Sequence, residues 1–291
     1  GQNVEPVPVD EFRFAAAEIY DVVIKPQEDK SYTIVAEPVD RTGFALGTLA
    51  TSEGLRGEIP KQRKRSLLTM KDMANMPGMK HDMSSMSGDM SGMDHAAMGH
   101  DMSGMSNMDD AKSGWAENNA PKGTKALNYS DLRYLGEQKD VRPAMRELIV
   151  RLGGNMERYI WTMDGKKHKD AKPIDLKYGE RVKITFINET MMAHPMHLHG
   201  MFFQLDNGQP ISKLPNKNMV IVPPGDSYSV LLTADEVGEW AFHCHLLYHM
   251  MAGMMNTVVV AKLSPDDVPE SIQKAKTHKE SQVDGGHNHA H

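Results

Sequence analysis

Two short runs hold six of the chain's 14 histidines and its only cysteine: His194-Pro195-Met196-His197-Leu198-His199-Gly200 and His243-Cys244-His245-Leu246-Leu247-Tyr248-His249. Chance placement explains this poorly. On an extended strand alternate side chains share a face. His243 and His245 then point one way and Cys244 the other. His197 and His199 likewise share a face, and His194, three positions earlier, can face oppositely. Each run therefore serves two sites, one on either side of the backbone.

On one side stand Cys244, His194 and, after a bend, His249. Met254 lies ten residues beyond the cysteine, past Gly253, which lets the chain turn back. Two imidazoles, a thiolate and a weak axial thioether are the ligand set of a blue-copper centre. On the other side stand His197, His199, His243 and His245. Imidazoles on alternate strand residues start about 6.6 Å apart at Cα, a spacing that suits metals packed about 3.5–4 Å apart. Cys244 would join the two sites covalently.

Other readings of these residues explain less. A lone cysteine forms no internal disulfide, so Cys244 is inert buried filler, a nucleophile or a metal ligand. A Cys–His nucleophile leaves the remaining imidazoles without a role. Zinc accepts such ligands, yet it gives no reason for a methionine after Gly253, and the Irving–Williams order favours copper.

The pattern around the two runs is all-β. Between residues 129 and 263, about seven short strands separated by turns predict a β-sandwich. Arg146 to Met163 reads as a strand pair around Gly153-Gly154-Asn155. Arg181–Ile187, Met201–Leu205, Met219–Val222, Ser227–Leu232, Trp240–His243 and Thr257–Val260 follow, with Pro223-Pro224-Gly225-Asp226 and Gly238 as turns. Residues 1–52 alternate like strands at Glu11–Phe14, Tyr20–Ile24 and Ser31–Val35. So short a stretch buries too little surface to fold dependably alone, and it reads as the tail of another β domain. Residues 264–291 form a polar tail ending in His287, His289 and His291.

Residues 53–128 differ. A basic run (Lys61, Arg63, Lys64, Arg65) reads as solvated linker. Between Thr69 and Gly114 there is no Val, Ile, Leu, Phe, Tyr or Trp, so a disordered insert is expected. Many of the chain's 24 methionines fall here: Met70, Met73, Met76, Met79, Met83, Met86, Met90 and Met93 recur at three- and four-residue spacing. That spacing can mean an amphipathic core helix, but Pro77, Gly78, Gly88 and Gly92 oppose a stable one. Thioethers with His81, His95 and His100 among them suit soft Cu(I), and collection of that ion is the expected role.

The two histidine runs resemble the C-terminal copper motifs of multicopper oxidases, the family of laccases and ascorbate oxidase. Val222-Pro223-Pro224-Gly225 and Gly238-Glu239-Trp240-Ala241-Phe242 look like the family's last domain. The Met-rich insert, Val9-Asp10-Glu11-Phe12-Arg13 and Asp40-Arg41-Thr42-Gly43 narrow the likeness to periplasmic copper-resistance members. The resemblance implies a Greek-key cupredoxin domain over 129–263, with the end of a second cupredoxin domain before it. His194, Cys244, His249 and Met254 would hold the type 1 copper, His197 the type 2 copper, and His199, His243 and His245 the paired type 3 coppers. The family's first domain supplies two further His-x-His motifs. Here no histidine precedes His81, so four of the eight cluster ligands are expected from a lost N-terminal part or another subunit.

The resemblance thus implies an oxidase that takes electrons from Cu(I) or another small reductant and reduces dioxygen to water, in the periplasm, serving copper resistance. The alternative is a copper-binding or electron-transfer module that never reduces oxygen. An arrangement like copper nitrite reductase, with sites between subunits, would also need first-domain ligands this chain lacks. A formal net charge of -6 gives no footprint for nucleic acid. No stretch approaches the roughly 20 apolar residues of a membrane span.

Overall fold

The computed structural model describes residues 2–64 and 123–262. The Met-rich positions Met70 to Met93 with His81, His95 and His100, and the tail from residue 263, lie outside the described residues. A small hairpin pairs β1 (Tyr32–Ala36) with β2 (Ala45–Leu49), antiparallel. Eleven strands follow: β3 (Arg146–Asn155), β4 (Ile160–Met163), β5 (Ile174–Lys177), β6 (Arg181–Asn188), β7 (His194–Leu198), β8 (Phe203–Leu205), β9 (Asn216–Lys217), β10 (Met219–Val222), β11 (Ser227–Thr233), β12 (Gly238–Cys244) and β13 (Met255–Ala261). A short helix, α1 (Leu247–Met251), interrupts the last pair.

These strands form two sheets, ordered β10-β7-β12-β13-β5 and β4-β3-β6-β11-β8-β9. The pairings β3–β6 and β5–β13 are parallel and the rest antiparallel. Together they make a cupredoxin-type sandwich. Alternation accounts for it: Val182, Ile184 and Phe186 of β6, Val230 and Leu232 of β11, and Leu198, Phe242 and Val258 of the facing sheet are all buried. Phe186, Phe203 and Phe242 meet with ring centroids 5.8–6.3 Å apart, joining the sheets.

Three local expectations are corrected. Tyr20–Ile24 is not a strand: Val23 is 100% exposed, and no ladder partner lies alongside among the described residues. Alternation builds a strand only where one face meets a core. Glu11–Phe14 makes a single bridge, Glu11 to Ala126. Gly153 and Gly154 do not form the turn after β3 but lie within the strand, where a Cβ on Gly154 would stand 2.6 Å from the Trp161 ring. Their smallness admits that indole.

The segment before residue 20 lies against the sandwich. Glu5 N–H donates to the Arg133 carbonyl at 2.8 Å, and Leu127 N–H to the Glu11 carbonyl at 3.0 Å. Arg63, read from sequence as solvated, pairs with Glu11 at 2.8 Å and Glu37 at 2.6 Å, tying the hairpin region to this segment.

Candidate metal centre

β7 and β12 are hydrogen-bonded neighbours, with His243 opposite His197 and Cys244 opposite Met196. Opposed residues share a face. Cys244, Met196 and His194 therefore face the core, and His197 and His243 the outer side of the same sheet. The two histidine runs become two back-to-back donor sets.

The inner set is His194, Cys244 and His249, all buried. Cys244 Sγ lies 3.6 Å from His194 Nδ1 and 3.8 Å from His249 Nδ1, and the two Nδ1 atoms are 3.2 Å apart. Metal bonds of about 2.0–2.3 Å to nitrogen and sulfur, at trigonal or tetrahedral angles, separate donors by about 3.3–3.8 Å. One metal ion fits among these three atoms. Met254, fully buried, is held beside them: its carbonyl accepts from Cys244 N–H at 3.1 Å and its N–H donates to the His249 carbonyl at 3.0 Å.

The surroundings fix the donors' protonation. Asn188 Nδ2 donates to the Met192, Val222 and Pro223 carbonyls, which orients its Oδ1 toward Thr190. The Thr190 hydroxyl donates to that oxygen at 2.8 Å and so accepts from His194 Nε2–H at 2.8 Å. His194 Nδ1 is left with its lone pair facing Cys244. Burial pushes His194 down to about 3, helped by His249, and burial pushes His249 to about 4. The Cys244 thiol is pushed up to about 12 by burial. Trp161 stacks on the His249 ring, centroids 3.8 Å apart and planes at 22°, and meets His194 edge-on at 5.2 Å. Gly253 allows this approach: its φ is 127°, and a Cβ there would lie 2.6 Å from the Trp161 carbonyl oxygen.

The outer set brings together His197, His199 and His243, with one ligand atom of each within 4.8 Å of the others. His197 Nδ1 donates to the Asn218 carbonyl at 2.6 Å and His243 Nδ1 to the Cys244 carbonyl at 3.1 Å, so both present a bare Nε2. His199 Nε2 lies 3.1 Å from His243 Nε2. His245 stands slightly apart, its ring 5.4 Å from His243 and 5.6 Å from His197, and its buried Nδ1 has no hydrogen-bond partner among the described residues. Burial lowers the pKa of His197 and of His243, keeping lone pairs available near neutrality. His197, His199 and His243 could hold a metal ion between them, whereas His245 is not drawn into that group.

Sequence reasoning missed the supporting residues. Asn188 and Thr190 stand just before His194, at a strand end where polar residues are unremarkable. Trp161 and Asn218 carry no local signal at all, since only the folded sandwich brings them to the imidazoles.

Residues 140–264 match the multicopper oxidase family. The chain is 42% identical over 311 residues to Copper resistance protein A of Escherichia coli, covering 89% of this chain and 51% of that one. A Copper resistance protein A homolog of Pseudomonas syringae is 43% identical, covering 89% of this chain and 49% of its own length. The chain thus spans about half the length of these relatives. Among solved structures, the McoA multicopper oxidase of Aquifex aeolicus aligns with a TM-score of 0.37 at 24% identity, covering 48% of this chain and 34% of that one.

Proposed function

Residues 140–264 belong to the multicopper oxidase family, and from that premise we propose that this chain forms the electron-entry site and half of the oxygen-reducing site of a copper-resistance oxidase. His194, Cys244 and His249, together with Met254, would hold the type 1 copper. His197 would serve the type 2 copper, and His199, His243 and His245 the type 3 pair. The four remaining cluster ligands would come from N-terminal domains or another subunit meeting the outer face. Copper, when bound, supplies one-electron redox chemistry on the inner side and dioxygen reduction on the outer side. The balance for a Cu(I) substrate is four Cu(I), one O2 and four protons giving four Cu(II) and two waters.

One observation carries this reading. Cys244 faces the inner set while its chain neighbours His243 and His245 lie on the outer side, so two peptide bonds join the sets. The remaining residues keep the donors ready: Thr190 fixes the His194 tautomer, Asn218 that of His197, and Trp161 seals the inner set from water. The expected sites of action are the periplasm and an excess of Cu(I). Among the described residues no helix is long and apolar enough to cross a membrane.

The test is oxygen uptake by the copper-loaded chain fed Cu(I), alone and together with the N-terminal half of a related oxidase, beside a Cys244→Ser control. Cys244-dependent uptake is expected once the missing imidazoles are supplied. Copper binding with no such uptake in either case would instead support a binding or electron-transfer module.

A further inference from the structure

A buried ionic network lies away from both donor sets, and the proposed chemistry gives it no role. Glu18, its side chain 0% exposed, accepts from Lys217 Nζ at 2.8 Å, the Tyr20 hydroxyl at 3.1 Å and the Tyr129 hydroxyl at 3.0 Å through one oxygen. Its second oxygen accepts from Ala15 N–H at 2.9 Å. Lys217 is 7% exposed, and its ammonium lies 3.9 Å from the centre of the Tyr20 ring. The Tyr129 hydroxyl also accepts from Ile221 N–H at 3.0 Å. Burying an ion pair brings little stability because desolvation offsets the attraction, and the best-attested use of such pairs is to fix register.

The register at stake is that of Asn218. This residue lies between β9, which pairs with β8 in one sheet, and β10, which pairs with β7 in the other. The chain changes sheets there: Asn218 itself is in neither ladder, and Met219 after it opposes His197 in the β10–β7 ladder. The network holds the chain on both sides of the junction, at Lys217 and at Ile221. A third contact holds the junction itself: Asn218 Nδ2 donates to the Ala17 carbonyl at 3.1 Å. Ala17 has a φ of 64°, a left-handed conformation unusual for alanine that persists only when its surroundings enforce it. The Asn218 carbonyl, thus held, accepts from His197 Nδ1 at 2.6 Å.

We propose that residues 15–20 form a positioning strap for His197: the Glu18–Lys217 pair and the Ala17–Asn218 bond aim the Asn218 carbonyl, which keeps the imidazole in its Nδ1–H form with Nε2 bare. Glu18, Lys217 and Asn218 are positioning residues. The strap's use in catalysis rests on the proposed role of His197 as a copper ligand. Through it, the segment preceding the sandwich acts on the outer donor set without touching a metal.

The test follows the His197 ring nitrogens by NMR in the full chain, with Zn(II) as a diamagnetic probe of the outer imidazoles. The unsubstituted chain should show a single Nδ1–H form of His197. In Glu18→Gln the Nε2–H form should appear, and the Zn(II) midpoint read at His197 should rise about tenfold, the lower end of the effect of losing a ligand's outer partner. The Cu(II)–thiolate colour at Cys244 should be unchanged. Asn218→Ala, which severs only the Ala17 link and leaves the ionic network, should move the same signals in the same direction and decides the matter if Glu18→Gln does not fold. Unchanged His197 nitrogens and Zn(II) midpoint in the folded variants would reduce the network to a structural clamp and overturn the proposal. A chain whose His197 tautomer responds to both substitutions but whose ring ignores Zn(II) would uphold the strap and instead remove His197 from the metal site.

Discussion

Cys244, with a thiol pushed up to about 12, stands between imidazoles pushed down to about 3 and about 4. In the metal-free protein at pH 7 the thiol is protonated and both rings are neutral. A metal entering there must displace one proton, from Cys244, and none from His194 or His249. One proton released per type 1 copper is therefore expected in weakly buffered solution, falling to none in Cys244→Ser. The Thr190 hydroxyl is the second lever at this scale, because among the described residues it is the hydrogen-bond partner of His194 Nε2. Thr190→Val keeps the shape and removes the acceptor, and a loss of about 10- to 100-fold in type 1 copper affinity is expected by competition with a chelator.

The elements that carry the proposed ligands were the part most legible in the sequence. Alternation in the two histidine runs places Cys244 opposite in sense to His243 and His245, and β7 and β12 keep that parity in register. It says nothing of the route to His249, read as a bend and formed by α1, whose last turn closes through Ala252 and Gly253. Nor does it indicate that Trp161, across a hairpin from Gly154, becomes the wall of the inner set. Local pattern reports which face a residue takes but not which distant side chain meets that face. For the same reason Tyr20–Ile24 misled: Tyr20 packs against the core, but Val22, Val23 and Ile24 are exposed, and alternation there has no core to face. Gly253 is where α1 and β4 are forced together. Gly253→Ala puts a Cβ against the Trp161 carbonyl in a conformation that disfavours alanine. A loss of about 1–3 kcal/mol in chemical denaturation is expected, with a weakened His249 site.

At the scale of the whole molecule, a polar lock holds one end of the sandwich. Arg181, fully buried, donates to the Arg142 carbonyl, Thr233 Oγ1 and Gln204 Oε1, and Asp140 binds Arg142 and Thr233 beside it. Burial pushes the Asp140 carboxyl up, but hydrogen bonds from Arg142 and Thr233 and the nearby Arg181 charge prevail and bring it to about 2. A carboxyl lowered in the folded state stabilises fully above its unfolded pKa, and that contribution disappears as pH falls from about 4 to about 2. Acid unfolding should therefore steepen in that window, and Asp140→Asn should be less stable at neutral pH with a flatter acid dependence.

In the proposed function His194, Cys244 and His249, with Met254 beside them, build a type 1 copper site. Its most direct measurement is titration of the metal-free chain with Cu(II), followed by visible absorption and electron paramagnetic resonance. One equivalent should produce an intense thiolate-to-copper band with the narrow copper hyperfine pattern of a blue site, and Cys244→Ser should lose both. Copper bound without that band, or a band that survives in Cys244→Ser, would contradict the assignment.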